Sequence, residues 1–214
     1  MYRLFLIRHG RTRIEGRYKG LLDVPLSPEG GKDAQAAAKI IKRALGPERL
    51  DIIYCSDLIR ASKTAKIISR EFPAIGGRGY CKMEKMINLR ERDFGKWEGL
   101  RFDEIANRWP KEFAKWVKDP FKNRPVGGEP TARLRDRVAS ALKEINEKTM
   151  DGENVAIVSH GGALRVMIAR LLGIPYKNLF RVDFAPGGVT LIHMHEMGKA
   201  PVAAFINLYR EVAE

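Results

Sequence analysis

The stretch that most constrains this chain is Leu4-Phe5-Leu6-Ile7-Arg8-His9-Gly10. An unbroken apolar run, Leu4 to Ile7, predicts a strand buried on both faces, and such strands belong to sheets covered by helices. The run stops abruptly at an arginine, a histidine and a glycine. In open α/β sheets ligands meet the carboxyl ends of the strands, so a cation and an imidazole stand where a ligand arrives. Gly10 is expected to let the backbone turn sharply and approach that ligand closely. Asn154-Val155-Ala156-Ile157-Val158-Ser159-His160-Gly161-Gly162 repeats the pattern: a buried strand ending in His-Gly.

The segments between alternate in period. Ser27-Pro28-Glu29 is a helix start, with a capping hydroxyl, an early proline and an acid at the positive end of the dipole. That helix is expected to run to about Leu45, with Ala34, Ala37, Ala38, Ile41 and Leu45 inside. Asp51 to Cys55 predicts a second strand, which Ser56-Asp57 ends while capping a helix from about Leu58 to Phe72. Arg60 falls in that helix's first turn. A third strand is expected near Tyr80 to Met83 or slightly later. A helical pattern from Phe102 to Lys118 breaks at Pro110, a Pro/Gly-rich loop spans Asp119 to Pro130, and Thr131 opens a long helix. A helix from about Ala163 to Leu172 is closed by Gly173 and Pro175. Three tail strands are expected: Phe180 to Phe184, Val189 to Glu196, and Val202 to Leu208. The alternation predicts an α/β three-layer α/β/α sandwich, a mostly parallel central sheet with helices on both faces. Residues 1–214 read as one domain, with 86–130 a lid-like excursion over the sheet end.

Length and composition set the outer limits. A chain of 214 residues, 44% hydrophobic, can bury a real core. Thirty-nine Lys plus Arg against 26 Asp plus Glu give a formal charge of +13. Such a balance suits either a solvated basic surface or an acidic partner, a phosphorylated small molecule or a nucleic acid. Cys55 and Cys81 lie in apolar, strand-like runs and read as buried thiols of a reducing compartment. The apolar part of the first strand is too short for a signal-peptide core, and no run is long enough to span a bilayer. The expectation is a soluble cytoplasmic protein without membrane contact. The apolar C-terminal strands offer an edge at which a second copy could pair as a homodimer.

The candidate site combines His9 and His160 at strand tips, Arg8 and Arg60 at the same end, and Glu91 at another strand's exit. Phosphoryl transfer uses this set. Guanidinium groups bind phosphate oxygens bidentately and stay charged at any working pH. They also stabilise charge on the equatorial oxygens during transfer. A neutral imidazole can attack phosphorus and form a phosphohistidine, and neighbouring arginines keep its lone pair free. Glu91 could donate a proton to the leaving alkoxide and later take one from water. His160 would be a further phosphate donor, best placed when protonated. No metal or other cofactor is called for. Each residue alone has a plainer reading: a satisfied histidine, a surface arginine, a solvated charge run around Glu91. His193 and His195 share a strand face, but two ligands make an incomplete metal site. Trp97, Trp109 and Trp116 read first as packing residues.

These segments together resemble the histidine phosphatase superfamily, also called the phosphoglycerate mutase-like family. Leu6-Ile7-Arg8-His9-Gly10 is similar to its signature. Gly20, Asp23, Pro25-Leu26-Ser27 and Gly30 resemble the following segment, and Tyr54-Cys55-Ser56-Asp57-Leu58-Ile59-Arg60-Ala61 the one carrying a second phosphate arginine. Leu89-Arg90-Glu91 with Phe94-Gly95 and Trp97-Glu98-Gly99 resembles the acid/base segment, and Val158-Ser159-His160-Gly161-Gly162 the second histidine motif. The resemblance implies His9 as phosphoryl acceptor, Glu91 as proton donor, Arg8, Arg60, His160 and Gly161 in the phosphate pocket, and no metal. Arg11-Thr12-Arg13-Ile14-Glu15 stands where the family usually has Glu-Thr and then a phosphate-holding asparagine; Arg13 or Arg17 is the expected substitute. Gly128-Glu129-Pro130 replaces the usual Gly-Glu-Ser. The segment from Glu91 to Gly99 is more similar to the phosphatase branch, which includes α-ribazole phosphatases and broad phosphomonoesterases. The expected activity is hydrolysis of a small phosphorylated metabolite. The alternatives are a cofactor-dependent phosphoglycerate mutase and, ranked lowest, a non-catalytic phospho-ligand or nucleic-acid binding module. No reader motif supports the nucleic acid.

Overall fold

A computed structural model describes residues 1–74, 76–195 and 200–209. Its centre is the predicted first strand, β1 (Tyr2–Arg8). The chain continues through α1 (Pro28–Leu45), β2 (Ile52–Cys55), α2 (Ile59–Ser69), β3 (Lys82–Lys85), α3 (Phe102–Arg108) and α4 (Pro110–Lys118). It closes with α5 (Thr131–Lys148), β4 (Asn154–Ser159), α6 (Gly161–Leu171), β5 (Val189–Met194) and β6 (Val202–Leu208). One six-stranded sheet has the order β3-β2-β4-β1-β5-β6. The first four strands in that order pair in parallel, while β5 and β6 extend the sheet antiparallel. The mostly parallel sheet is thus as expected, with an antiparallel edge.

The apolar runs decide the layers. Every residue of β4 is buried, as are Leu4 to Ile7 of β1. Alternate side chains of these strands feed two cores. Leu4, Leu6, Val155 and Ile157 pack with α5 and α6 on one face. Phe5, Ile7, Ala156 and Val158 pack with α1 and α2 on the other. The chain leaving β1 passes to α1 on one face, and the chain leaving β4 passes to α6 on the opposite face. The crevice between those two strand tips is therefore a topological switch point, where ligands bind in open α/β sheets. Within 86–130, Trp97, Ile105, Phe113 and Trp116 form a separate small core. Among the described residues no helix is long and apolar enough to cross a membrane. Cys55 and Cys81 are both buried and free, and burial pushes their thiols up to about 11 and about 12.

Several local expectations are corrected. Ser27 caps α1 as predicted, accepting from the Gly30 N–H. At the start of α2 the Ser56 hydroxyl accepts from the Leu58 N–H at 3.3 Å, whereas the Ile59 N–H donates 2.6 Å to distant Asp23 and Asp57 is taken by Arg90. Phe180 to Phe184 forms no strand. Tyr176–Arg181 is a 3₁₀ turn, because the position beside β1 is already filled by β5, paired from Tyr2 to Ile7. The strand β5 ends at Met194; its predicted end, Glu196, lies outside the described residues.

Gly10 is needed for a reason the sequence hid. A Cβ there would lie 2.2 Å from the Gly30 carbonyl oxygen, so this glycine admits the first turn of α1 rather than a sharp bend. Gly10→Ala is expected to lower stability by about 1–3 kcal/mol through overpacking. Gly31, in the same helix turn, has open space around it. Gly31→Ala should stabilise by up to about 1 kcal/mol. Urea denaturation of the two variants checks both signs.

Candidate active site

Strand register builds the site. In the parallel β1–β4 pair Arg8 lies opposite Ser159, so the next residues, His9 and His160, are neighbours at the sheet edge. The His9 N–H donates 3.0 Å to the Ser159 carbonyl, and the two imidazoles meet edge to face with centroids 5.0 Å apart. His9 Nδ1 lies 2.7 Å from the Gly10 carbonyl. A carbonyl only accepts, so Nδ1 carries the proton and Nε2 keeps its lone pair. Burial holds this imidazole well below its ordinary range, and Arg60, Arg8 and Lys19 add to the effect. His9 is therefore a neutral base poised for attack.

Arg60, only 1% exposed, is fixed by neutral partners. Its Nη1 donates 2.6 Å to the Leu22 carbonyl and its Nη2 donates 2.6 Å to the Gly20 carbonyl. Its Nε donates 3.2 Å to His160 Nδ1. Because that nitrogen accepts, His160 carries its proton on Nε2 and is neutral in the empty pocket. Burial first, then His9 and Arg60, lowers its pKa well below the usual value. Arg8 donates through Nη1 to the Phe184 carbonyl at 2.5 Å. Its Nε and His160 Nε2 are buried without a hydrogen-bond partner among the described residues. Buried donors left without a partner are costly, and these two flank Gly161, at the amino end of α6. A Cβ on Gly161 would lie 3.2 Å from Arg165 Nη1 and 3.7 Å from Arg8 Nε, so the absent side chain leaves the guanidinium edges open.

Glu91 closes the site from the excursion. Its carboxylate accepts 2.8 Å from the Arg92 N–H and 3.1 Å from the Gly162 N–H. What holds this segment is a residue outside the candidates read from the sequence. Arg137, from α5, donates to the carbonyls of Asn88 (3.0 Å), Arg90 (2.6 Å) and Glu91 (2.8 Å). The same guanidinium grips both oxygens of Glu129 at 2.8 and 2.9 Å. Ser159, at the end of β4, adds a 2.7 Å bond to the Leu89 carbonyl. A signal existed: Arg137 stands immediately before the inward residue Val138.

The expected substitutes for the missing asparagine are not brought to the pair. Arg13 lies exposed. Arg17 Nη1 is drawn away to the Gly99 carbonyl (2.7 Å) and to Glu104 (2.8 Å). Partly buried Lys19 is instead the loop cation close to the site: burial, Arg8 and Arg60 all hold its pKa down.

The buried histidines carry a pH signature. Both have folded pKa values below that of the unfolded chain, near 6.5. Their contribution to stability is present above that pH and is lost as pH falls through the folded values. In phosphate-free buffer, stability should decline below about pH 6.5, by at most about 1.4 kcal/mol per pH unit for each ring. Urea melts between pH 7.5 and 5 should show this slope, and it should be shallower in the His9→Gln/His160→Gln variant.

Known proteins resemble this chain in sequence and fold. Residues 4–207 match the family model of the Histidine phosphatase superfamily (branch 1). The chain is 32% identical over 198 residues to "Phosphoserine phosphatase 1" of Hydrogenobacter thermophilus, covering 92% of this chain and 88% of that protein. It is 31% identical over 191 residues to the "2,3-bisphosphoglycerate-dependent phosphoglycerate mutase" of Methylocella silvestris, covering 86% and 88%. Among solved structures, the α-ribazole phosphatase of Shigella flexneri superposes with a TM-score of 0.81 at 28% identity, covering 96% of each chain. By its sequence profile, its sheet order and its relatives, the chain belongs to the histidine phosphatase superfamily.

Proposed function

We propose that the protein is a metal-independent phosphomonoesterase that works through a phosphohistidine on His9. One observation carries the reading: two buried N–H donors without partners, Arg8 Nε and His160 Nε2, stand beside an imidazole whose outer nitrogen is free. An oxyanion supplies the partners they lack.

The chemistry follows from the geometry. His9 Nε2 attacks phosphorus; an N–P bond forms as the P–O ester bond breaks. The Gly10 carbonyl keeps the Nδ1 proton in place, so the ring can carry the positive charge that develops. Arg8, Arg60 and His160 donate to the equatorial oxygens, each from a position fixed before substrate arrives. The N–H inventory of Arg60 leaves one proton on each terminal nitrogen after its two carbonyl bonds. Lys19 adds a further positive charge that acts on His9. Glu91 acts as general acid, giving a proton to the departing alcohol. Its carboxylate then takes a proton from the water that attacks phosphorus, the N–P bond breaks, and inorganic phosphate leaves. The formal charge of +13 favours encounter with a phosphorylated metabolite. Residues 86–130 act as the lid of a single domain, carrying Glu91 over the sheet end. Relatives named phosphoserine and α-ribazole phosphatase support hydrolysis, while relatives named phosphoglycerate mutase support phosphate return to the rebound product.

His9→Ala should lower kcat/KM by at least about a thousandfold. Acid quenching of wild-type enzyme with a ³²P-labelled ester should leave acid-labile label on the His9 peptide; label elsewhere, or none, overturns the assignment. Incubation with 3-phosphoglycerate should release inorganic phosphate, and 2-phosphoglycerate as the main product would assign the mutase instead.

Glu91→Gln should slow alkyl phosphates by about 10²–10⁴-fold and nitrophenyl phosphate much less. Arg137→Met should show the same leaving-group dependence with a loss of about ten- to a hundredfold, since a displacement of an ångström suffices. A uniform loss across esters would make Arg137 merely structural.

A further inference from the structure

Beside the phosphoryl site lies a cavity of about 230 Å³, lined at one end by Arg8, Glu91, Gly161 and Gly162. Its other walls are Trp116, Phe121, Leu134, Val166, Leu179 and Phe180. A substrate whose phosphoryl group sits on His9 has this space for its alcohol portion. Resting on the phosphatase reading above, we infer that the preferred alcohol bears a flat, uncharged apolar group seated against these side chains, and that small zwitterionic alcohols are poor substrates.

Most polar side chains of the lining are already paired. Arg92 lines the cavity but is already bonded to the carbonyls of Glu129, Pro120 and Asn123. Its guanidinium carbon also lies 4.6 Å from the Trp116 ring centroid, so it presents itself as part of an aromatic wall. The Thr131 hydroxyl donates to the Pro120 carbonyl. Arg165 donates to the Val182 carbonyl and to Asp183, and its remaining terminal nitrogen is directed at Gly161, the phosphoryl end. Beyond that end, among the described residues, the lining side chains offer no carboxylate for an ammonium group, and the Tyr18 hydroxyl is engaged with the Trp116 indole. The one carboxylate facing the cavity is Glu91, and the proposed mechanism uses it to move a proton. An amino-acid alcohol would therefore bury its ammonium without a partner or capture the proton donor, and either outcome is costly. An aromatic group instead gains apolar burial and ring contacts. Phe121 is ordered for such contact: it stacks on Tyr176 with planes 13° apart.

The test compares phosphate release from benzyl phosphate and from O-phosphoserine. Both are alkyl esters, so leaving-group acidity does not favour the aromatic one. Benzyl phosphate is expected to have a kcat/KM at least tenfold higher, with most of the difference in KM. Phe121→Ala and Phe180→Ser should each narrow that ratio at least threefold; Phe180 is 59% exposed, so its replacement leaves the core intact. A ratio of one or less, or a ratio unmoved by both variants, overturns the inference while leaving the phosphatase reading standing. Failure to release phosphate from either ester, or full activity in His9→Ala, defeats the phosphatase reading and this inference with it.

Discussion

The structure depends on one pairing, β1 against β4 in parallel, with Arg8 opposite Ser159. These strands are far apart in sequence, and nothing local brings their tips together. The force that does so is burial: each presents a run of apolar residues to both faces of the sheet, and each run can be covered only between two helical layers. A slip of one residue would exchange the two faces of β4 and separate the histidines. The hydrophobic register that satisfies the cores is thus the same register that assembles His9 and His160. Stability and site geometry are set by one choice.

The cations divide into two kinds by what neutralises them. Arg11, Arg90 and Arg137 grip Asp33, Asp57 and Glu129 with paired, near-bidentate bonds, and their charge is cancelled locally. Arg8 and Arg60 are fixed by the carbonyls of Phe184, Leu22 and Gly20 instead. A carbonyl orients a guanidinium without cancelling its charge. Burial lowers the pKa of both arginines, and the more distant carboxylates, Glu91 foremost, offset only part of that cost. Together with burial, the same positive field keeps His9 deprotonated, as the proposed nucleophile requires.

What the sequence made legible follows from this division. His9, Arg8 and His160 stood out because polar residues end otherwise unbroken apolar runs. Arg60 was legible as the first cation after the next strand. The helices broke where proline and glycine dictate, including at Pro110 between α3 and α4. Loop residues were not legible in the same way. Arg17 is close to His9 along the chain, yet it pairs with Glu104, which only the folded excursion supplies. Asp57 has the chemistry of a helix cap, but Arg90 outbids the backbone N–H and Asp23 takes over that duty. Phe180 to Phe184 has strand-like residues but no vacant place in the sheet. In each case a tertiary partner overrode a sound local preference.

The acid/base segment joins two parts that would otherwise be independent. The small core around Trp97 and Trp116 could shift relative to the sheet without exposing either main core. Glu91 would move with it, and proton transfer tolerates little displacement. Arg137 removes that freedom: it is rooted in α5, which packs on the sheet, and it binds three carbonyls of the segment together with Glu129. Ser159 adds a bond from the strand tip itself. The carboxylate is consequently referenced to the same strand that carries His160. Proton donor and phosphate pocket share one rigid frame, while the aromatic walls beyond them are free to differ with the alcohol that must be released.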